Sequence, residues 1–151
     1  MGGIVRKAGP DDTKVFTAIA EQFVLESPMY KGIAFDHESY EIFLRYVFES
    51  DQHLALIYEQ DGEVAGAIMG MVCSFLYSPE LQASDLGFYV KPEYRGKRVA
   101  VKLEAAYREW AGSKGARKVA LGVTTGDKTA GAFYERLGYT YVGSNYAMML
   151  D

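Results

Sequence analysis

The residues from Val90 to Ala100, Val90-Lys91-Pro92-Glu93-Tyr94-Arg95-Gly96-Lys97-Arg98-Val99-Ala100, carry the pattern best suited to chemistry. They read as a strand end, a turn and the start of a helix. The first turn of a helix presents unpaired N–H groups at the positive end of its dipole, where a diphosphate can settle on backbone donors. Gly96 lets the main chain come close to such a ligand, and the small Ala100 leaves the helix entry uncrowded. Charge agrees with this reading. Between Lys91 and Lys118 nine Lys/Arg stand against three Glu, a net of +6, while the remaining positions net −10. The sequence has no G-x-x-x-x-G-K-[ST] and no G-x-G-x-x-G, which argues against a P-loop NTPase and a dinucleotide fold.

A second informative stretch follows about thirty residues on: Asp127-Lys128-Thr129-Ala130-Gly131-Ala132-Phe133-Tyr134-Glu135-Arg136-Leu137-Gly138-Tyr139. It reads as a short helix with aromatic residues, stopped by Gly138. Together the two segments resemble the GNAT superfamily of N-acetyltransferases. The first is similar to that family's V-x-P-x-[YF]-R-G-x-G-[IV]-[GA], through Val90, Pro92, Tyr94, Arg95, Gly96, Val99 and Ala100. Arg98 stands where the family usually has Gly. The second is similar to N-x-x-A-x-x-F-Y-x-x-x-G-[FY], with Asp127 in place of the usual Asn. The matches are ordered and spaced as in the family, and the likeness is strong from Ser84 to Tyr139. It is faint between Ser27 and Ser50.

The resemblance implies an α/β (α+β mixed) sheet of about six to seven strands with helices on both faces. In it the parallel fourth and fifth strands splay apart around an acyl-pantetheine arm. It implies acetyl-CoA as co-substrate, a primary amine of a small molecule or peptide as acceptor, and no metal. Phe88 and Val90 would hydrogen-bond the pantetheine through their main chain. Arg95, Gly96, Lys97, Arg98, Val99 and Ala100 would hold the pyrophosphate, and Asp127 would lie near the pantetheine arm. Tyr134 would reach the thioester sulfur. A phenol near pKa ~10 is a weaker acid than a thiol near ~8.5, so full proton transfer is uphill by roughly 2 kcal/mol. Stabilisation of the thiolate by a hydrogen bond and general-acid catalysis therefore both stand. The base that takes the amine's proton is expected near the start of the fourth strand, at Asp85; Glu80, His37 and His53 are the other candidates. The same fold also serves as a catalytically silent acyl-CoA-binding module, which is the alternative function.

Periodicity supplies the elements that position these groups. Ile4 to Ala8 reads as a strand, broken by Gly9-Pro10-Asp11-Asp12, which offers helix-capping chemistry. Phe16, Ile19, Ala20, Phe23 and Val24 mark one face of a helix reaching about Glu26. Asp36 caps a second helix through Tyr40, Phe43, Leu44, Val47 and Phe48. Strands over 54–59 and 63–75 flank Asp61-Gly62, a strong hairpin signal. After a loop around Pro79, Ser84 to Val90 reads as a strand with Leu86, Phe88 and Val90 on one face and Asp85, Gly87 and Tyr89 on the other. A helix from about Lys97 to Ala111, a strand over 118–123, a helix over 129–137 and a strand-like stretch over 139–150 complete the chain.

Length and composition bound the rest. The 151 residues suit one domain, 1–151. The apolar run from Val64 to Leu76 is too short and too interrupted to span a bilayer, and the first residues lack a signal-peptide core. Cys73 is the only cysteine, which excludes an internal disulfide and a Cys-based zinc site. A cytoplasmic protein is expected, without membrane partners. The sequence pI near 5.2 argues against nucleic acid as a partner. Acids dominate outside the cofactor segment, which favours a cationic acceptor. Exposed strands near the C-terminus make a homodimer a candidate assembly.

Overall fold

The computed structural model describes residues 2–124 and 128–150. Its elements run β1 (Ile4–Lys7), α1 (Thr13–Glu26), α2 (His37–Glu49), β2 (His53–Gln60), β3 (Glu63–Phe75), β4 (Ser78–Val90), α3 (Val99–Ser113), β5 (Ala116–Ala120) and α4 (Lys128–Arg136). The strands form one sheet in the order β1-β2-β3-β4-β5, antiparallel except for the parallel pair β4 and β5. Short turn chemistry fixes this meander. Asp61 and Gly62 both take positive φ, 53° and 79°, the geometry that two-residue hairpins favour. Asp36 caps α2 by accepting from the Ser39 N–H at 2.7 Å. Asp12 holds the Gly9 N–H and both ends of the Arg6 guanidinium at the start of α1.

Two apolar clusters occupy the two faces of the sheet. α1 and α2 bring Phe16, Ile19, Leu44 and Val47 onto Ala55, Ile57, Ala67, Met69 and Tyr89. On the opposite face, α3 brings Val99, Leu103, Tyr107 and Ala111 onto Leu56, Ala65, Ile68 and Ala83. The spacing of those α3 residues is one helical stripe. Its close seating on β3 depends on two positions without side chains. A Cβ at Gly66 would lie 3.2 Å from Cγ1 of Val99, and one at Gly70 would lie 2.4 Å from Cε2 of the buried Tyr107. The first turn of α3 is thereby held beside the end of β4.

Three sequence expectations need correction. β4 begins at Ser78 rather than Ser84, because Leu76 and Tyr77 make a two-residue link and Phe75 pairs with Ser78. β5 ends at Ala120, short of Val123. Tyr139 to Leu150 forms no strand among the described residues, so the sheet has five strands instead of six or seven. The alternating apolar residues of that stretch find no buried face: Tyr146 is 98% and Leu150 88% exposed. An alternating pattern needs a partner strand and a face to cover before it becomes a strand. No helix among the described residues is long and apolar enough to cross a membrane.

The contact between α3 and β3 yields a direct test. Gly70→Ala should destabilise the protein by about 1–3 kcal/mol, because the Tyr107 ring is enclosed and must shift. A denaturant midpoint equal to that of the parent protein would show that α3 is not seated this closely.

Candidate active site

The parallel ladder between β4 and β5 covers only Leu81 to Ser84 on β4 and Ala116 to Ala120 on β5. Beyond it the strands part, and the last residues of β4 pair on the β3 side alone. Lys91 donates its N–H to the Ala65 carbonyl on β3, so alternation turns the main-chain groups of Phe88 and Val90 toward the gap. One of these is already engaged, since the Val90 carbonyl accepts from Nε of Arg95 at 2.8 Å. A cleft of about 690 Å³ opens along this edge, from Gly96, Lys97 and Ala100 at one end to Phe133 and Tyr134 at the other.

The cationic end of the cleft is built by the turn between β4 and α3. Gly96 has φ +75°, a left-handed conformation that a side chain would strain, and no atom lies within 4 Å of where its Cβ would be. Arg98 stands at the N-cap of α3 with φ −82° and ψ 5°. An ordinary residue adopts that conformation, which explains how Arg replaces Gly here. The Arg98 side chain makes no capping hydrogen bond among the described residues, and the first turn of α3 contains no acidic residue. Val99 is buried, whereas Gly96, Lys97 and Arg98 are exposed. Arg136, on the last turn of α4, also lines the cleft and makes no ion pair among the described residues.

The Arg95 side chain points another way. Besides Val90, its guanidinium bonds Glu26 Oε1 at 3.0 Å and lies over the Tyr89 ring, 5.2 Å from its centroid. Glu26 also accepts from the Tyr89 hydroxyl. Burial alone would raise the Glu26 carboxyl, yet the bonds from Tyr89 and Arg95 outweigh it and hold the group below the usual carboxylate range. Arg95 thus ties the end of α1 to the end of β4. Glu26 and Tyr89 line the cleft as well, and sequence reading missed both. Their pairing spans more than sixty residues and leaves no local signature. Asp127 lies outside the described residues.

At the far end, the main chain of Gly122 is held by two side chains. Asp85 Oδ1 accepts its N–H at 2.8 Å, and Tyr134 donates to its carbonyl over a long 3.3 Å. Tyr134 is half-buried, stacks near Phe88 with ring centroids 6.5 Å apart, and packs against Tyr139. Tyr139 donates to Glu104 at 2.8 Å, which fastens the end of α4 to fully buried carboxylate on α3. Burial first, then the charges of Asp85 and Tyr139, push the Tyr134 hydroxyl well above the ordinary phenol range.

Asp85 does not share a face with Gly87 and Tyr89 as simple alternation predicts. Gly87 pairs with Met69 and Asp85 with Gly70, so Leu86 is an extra, bulged residue that reverses the alternation. Asp85 therefore joins the side of Ala83, toward Tyr107 and Tyr134, whose hydroxyls are raised by burial and further by its charge. Burial pushes its carboxyl up to about 6, against the opposing bonds from the Gly122 N–H and its own. It lines neither the cleft nor the second cavity described below. Among the remaining base candidates, His37 contacts Glu21 and Glu80 pairs with Arg117, both on exposed surface. His53 meets the Ser50 hydroxyl at 2.8 Å. No group of His, Cys, Asp or Glu among the described residues is arranged to hold a metal ion.

A family model, Acetyltransferase (GNAT) family, matches residues 17–139. The chain belongs to the GNAT acetyltransferase family. Solved structures share the fold over nearly the full length at low identity. A transcriptional regulator from Bacillus halodurans C-125 superposes with a TM-score of 0.80 at 16% identity, covering 98% of this chain and 99% of the other. AAC(6')-Iy, solved with a bisubstrate analogue, CoA-S-monomethyl-acetylneamine, gives 0.77 at 18% identity, covering 100% and 99%. Glucosamine-6-phosphate N-acetyltransferase from Arabidopsis thaliana gives 0.78 at 18%, covering 100% of both chains. No curated protein matches this sequence. The expected splay of the fourth and fifth strands and the helices on both faces are thus present in this GNAT domain.

The raised carboxyl at Asp85 has a signed consequence. The folded state holds this proton more tightly than the unfolded chain, so its contribution is full below about pH 3.8 and is lost as pH rises through about 6. Asp85→Asn keeps an oxygen for the Gly122 N–H and removes that loss. Measured by denaturant midpoints, the variant should gain up to about 2 kcal/mol on the parent between about pH 4 and pH 7. A difference that stays flat across this range would contradict the assignment.

Proposed function

We propose that this GNAT-family protein transfers an acetyl group from acetyl-CoA to the primary amine of a small molecule or peptide by direct attack. The observation that carries the reading is the unpaired edge of β4. It borders one cleft that is lined both by the start of α3 and by Tyr134. When bound, acetyl-CoA supplies the activated acyl group and a thiolate leaving group. The residues present suit it. The exposed backbone of Gly96 to Ala100, with Lys97, Arg98 and Arg136 nearby, would hold the diphosphate. The main chain of Phe88 and the N–H of Val90 would hold the pantetheine amides, with Asp127 assigned beside that arm from sequence alone. Arg95 would serve as a brace through Glu26 and Val90, leaving its main chain for the ligand.

Tyr134 would donate a hydrogen bond to the sulfur as the C–S bond breaks. Its hydroxyl is raised above the phenol range, so complete proton transfer to a thiolate is still less favourable than for a free phenol. Stabilisation of developing charge is the role these values support. The long bond to Gly122 is weak enough to be exchanged for one to sulfur. Asp85 would accept the proton that the ammonium must lose, and a carboxyl near 6 is ionised at neutral pH. Because it lines neither cavity, that proton would travel through water.

Two variants test these assignments. Tyr134→Phe should lower kcat at least tenfold while the calorimetric affinity for acetyl-CoA changes by less than about twofold; equal turnover across the pH range would remove Tyr134 from the mechanism. Gly96→Glu should abolish acetyl-CoA binding, through backbone strain at positive φ and repulsion of the diphosphate. Tight binding by that variant would mean that the phosphates lie elsewhere. Cofactor binding by the parent without turnover on a broad amine panel would favour the silent acyl-CoA-binding module.

A further inference from the structure

A second cavity, about 300 Å³, lies on the opposite side of β4 from α3, beneath α1 and α2. It shares Phe88 and Tyr89 with the cleft, so one segment of β4 lines both spaces. Its volume is at the lower end of ordinary small-molecule pockets, which run from roughly 300 to 1,000 Å³. Aromatic rings build its wall: Phe35 and Tyr40 lie 5.3 Å apart between centroids, and Phe23 and Tyr30 lie 6.1 Å apart. No Asp, Glu, Lys, Arg or His lines it among the described residues.

The polar side chains that line this cavity are three tyrosines. The Tyr89 hydroxyl is committed to Glu26. The Tyr40 hydroxyl, raised by burial, has no hydrogen-bond partner among the described residues. A cavity of this kind accepts an apolar ring readily. It is hostile to a body that carries several ammonium groups, each of which would lose water and meet no carboxylate. The acidic excess of the exterior attracts a cation toward the protein, but that charge is not inside the cavity.

One position in the lining of the cavity carries no side chain. Gly87 lies there in β4, and a Cβ built on it would meet nothing within 4 Å among the described residues. Its φ is outside the left-handed region, so the backbone does not require glycine. The absent side chain leaves room beside Phe88.

Resting on the acetyl-transfer reading above, we infer that the acceptor is a small monoamine whose amino group is carried on a compact apolar ring, an arylalkylamine in chemical class. Gly87 sets the size of ring admitted. The ring lies among Phe23, Phe35, Tyr40 and Met69, and the amine faces the shared edge at Phe88 and Tyr89. Attack by the nitrogen lone pair forms the C–N bond of the amide and breaks the C–S bond, releasing the thiolate of coenzyme A; of the two protons the ammonium loses, one leaves to water or carboxylate before attack and the other ends on the sulfur.

The experiment compares 2-phenylethylamine with spermidine and kanamycin as acceptors, reading released thiol, for the parent and for Gly87→Val. Acetyl-CoA affinity of both proteins is measured by calorimetry. The expected results are a kcat/KM for 2-phenylethylamine at least tenfold above either polycation, and a KM for it raised at least tenfold in Gly87→Val with acetyl-CoA affinity changed less than twofold. Retained cofactor affinity shows that the variant is folded. Preference for a polycation, an unchanged KM in Gly87→Val, or no turnover of 2-phenylethylamine by protein that binds acetyl-CoA would each overturn the inference and leave the cofactor reading standing. Failure of the parent to bind acetyl-CoA would instead bring down the reading on which the inference rests, and the inference with it.

Discussion

The early end of the β4–β5 ladder is the constraint on which this molecule turns. Main-chain N–H and C=O groups rarely remain unpaired in a protein interior. Where the ladder stops at Ser84 and Ala120, two side chains take over the next backbone on the β5 side: Asp85 holds the Gly122 N–H and Tyr134 reaches its carbonyl. This substitution leaves the Phe88 main chain and the Val90 N–H facing an open space, while the Val90 carbonyl accepts from Arg95. The bulge at Leu86 contributes to the same end, because it rotates Asp85 toward the gap while Phe88 and Val90 keep their places in the α3 cluster.

The walls of the gap are held by contacts that reach across the sheet. α3 sits close on β3 because Gly66 and Gly70 have no side chains to keep it away. α4 is fastened to α3 through Tyr139 and the buried Glu104, whose carboxylate also bonds Arg108. α1 is fastened to the end of β4 through Glu26, Tyr89 and Arg95. A buried carboxylate with several partners is costly to disrupt, which favours one arrangement of these helices over others. The residues that line the cleft are thus carried on elements fixed by packing.

Much of this was legible in the sequence. The strand–turn–helix reading of Val90 to Ala100 holds because its signals are local: Pro92 ends a strand, Gly96 takes positive φ and the apolar stripe of α3 has helical spacing. Arg98, which stands where the family usually has Gly, takes φ −82°, a conformation open to any residue. What the sequence could not reveal was long-range. The bulge at Leu86 changes which face Asp85 occupies, and a bulge has no dependable local code. Glu26 ends a helix like many glutamates, and only the fold brings it to Arg95. Alternation over Tyr139 to Leu150 suggested strands, but no partner strand covers that stretch among the described residues. The importance of Gly87 lies in the space left by an absent side chain, which no motif encodes.

The central claim is that the open edge of β4 and the start of α3 form one acyl-CoA site. Backbone amide chemical shifts recorded during an acetyl-CoA titration test it most directly. The account predicts saturable shifts concentrated at Phe88 to Val90 and Gly96 to Ala100, with smaller effects over β1 and β2. Saturable shifts confined to other surfaces, or no saturation at all, would contradict it.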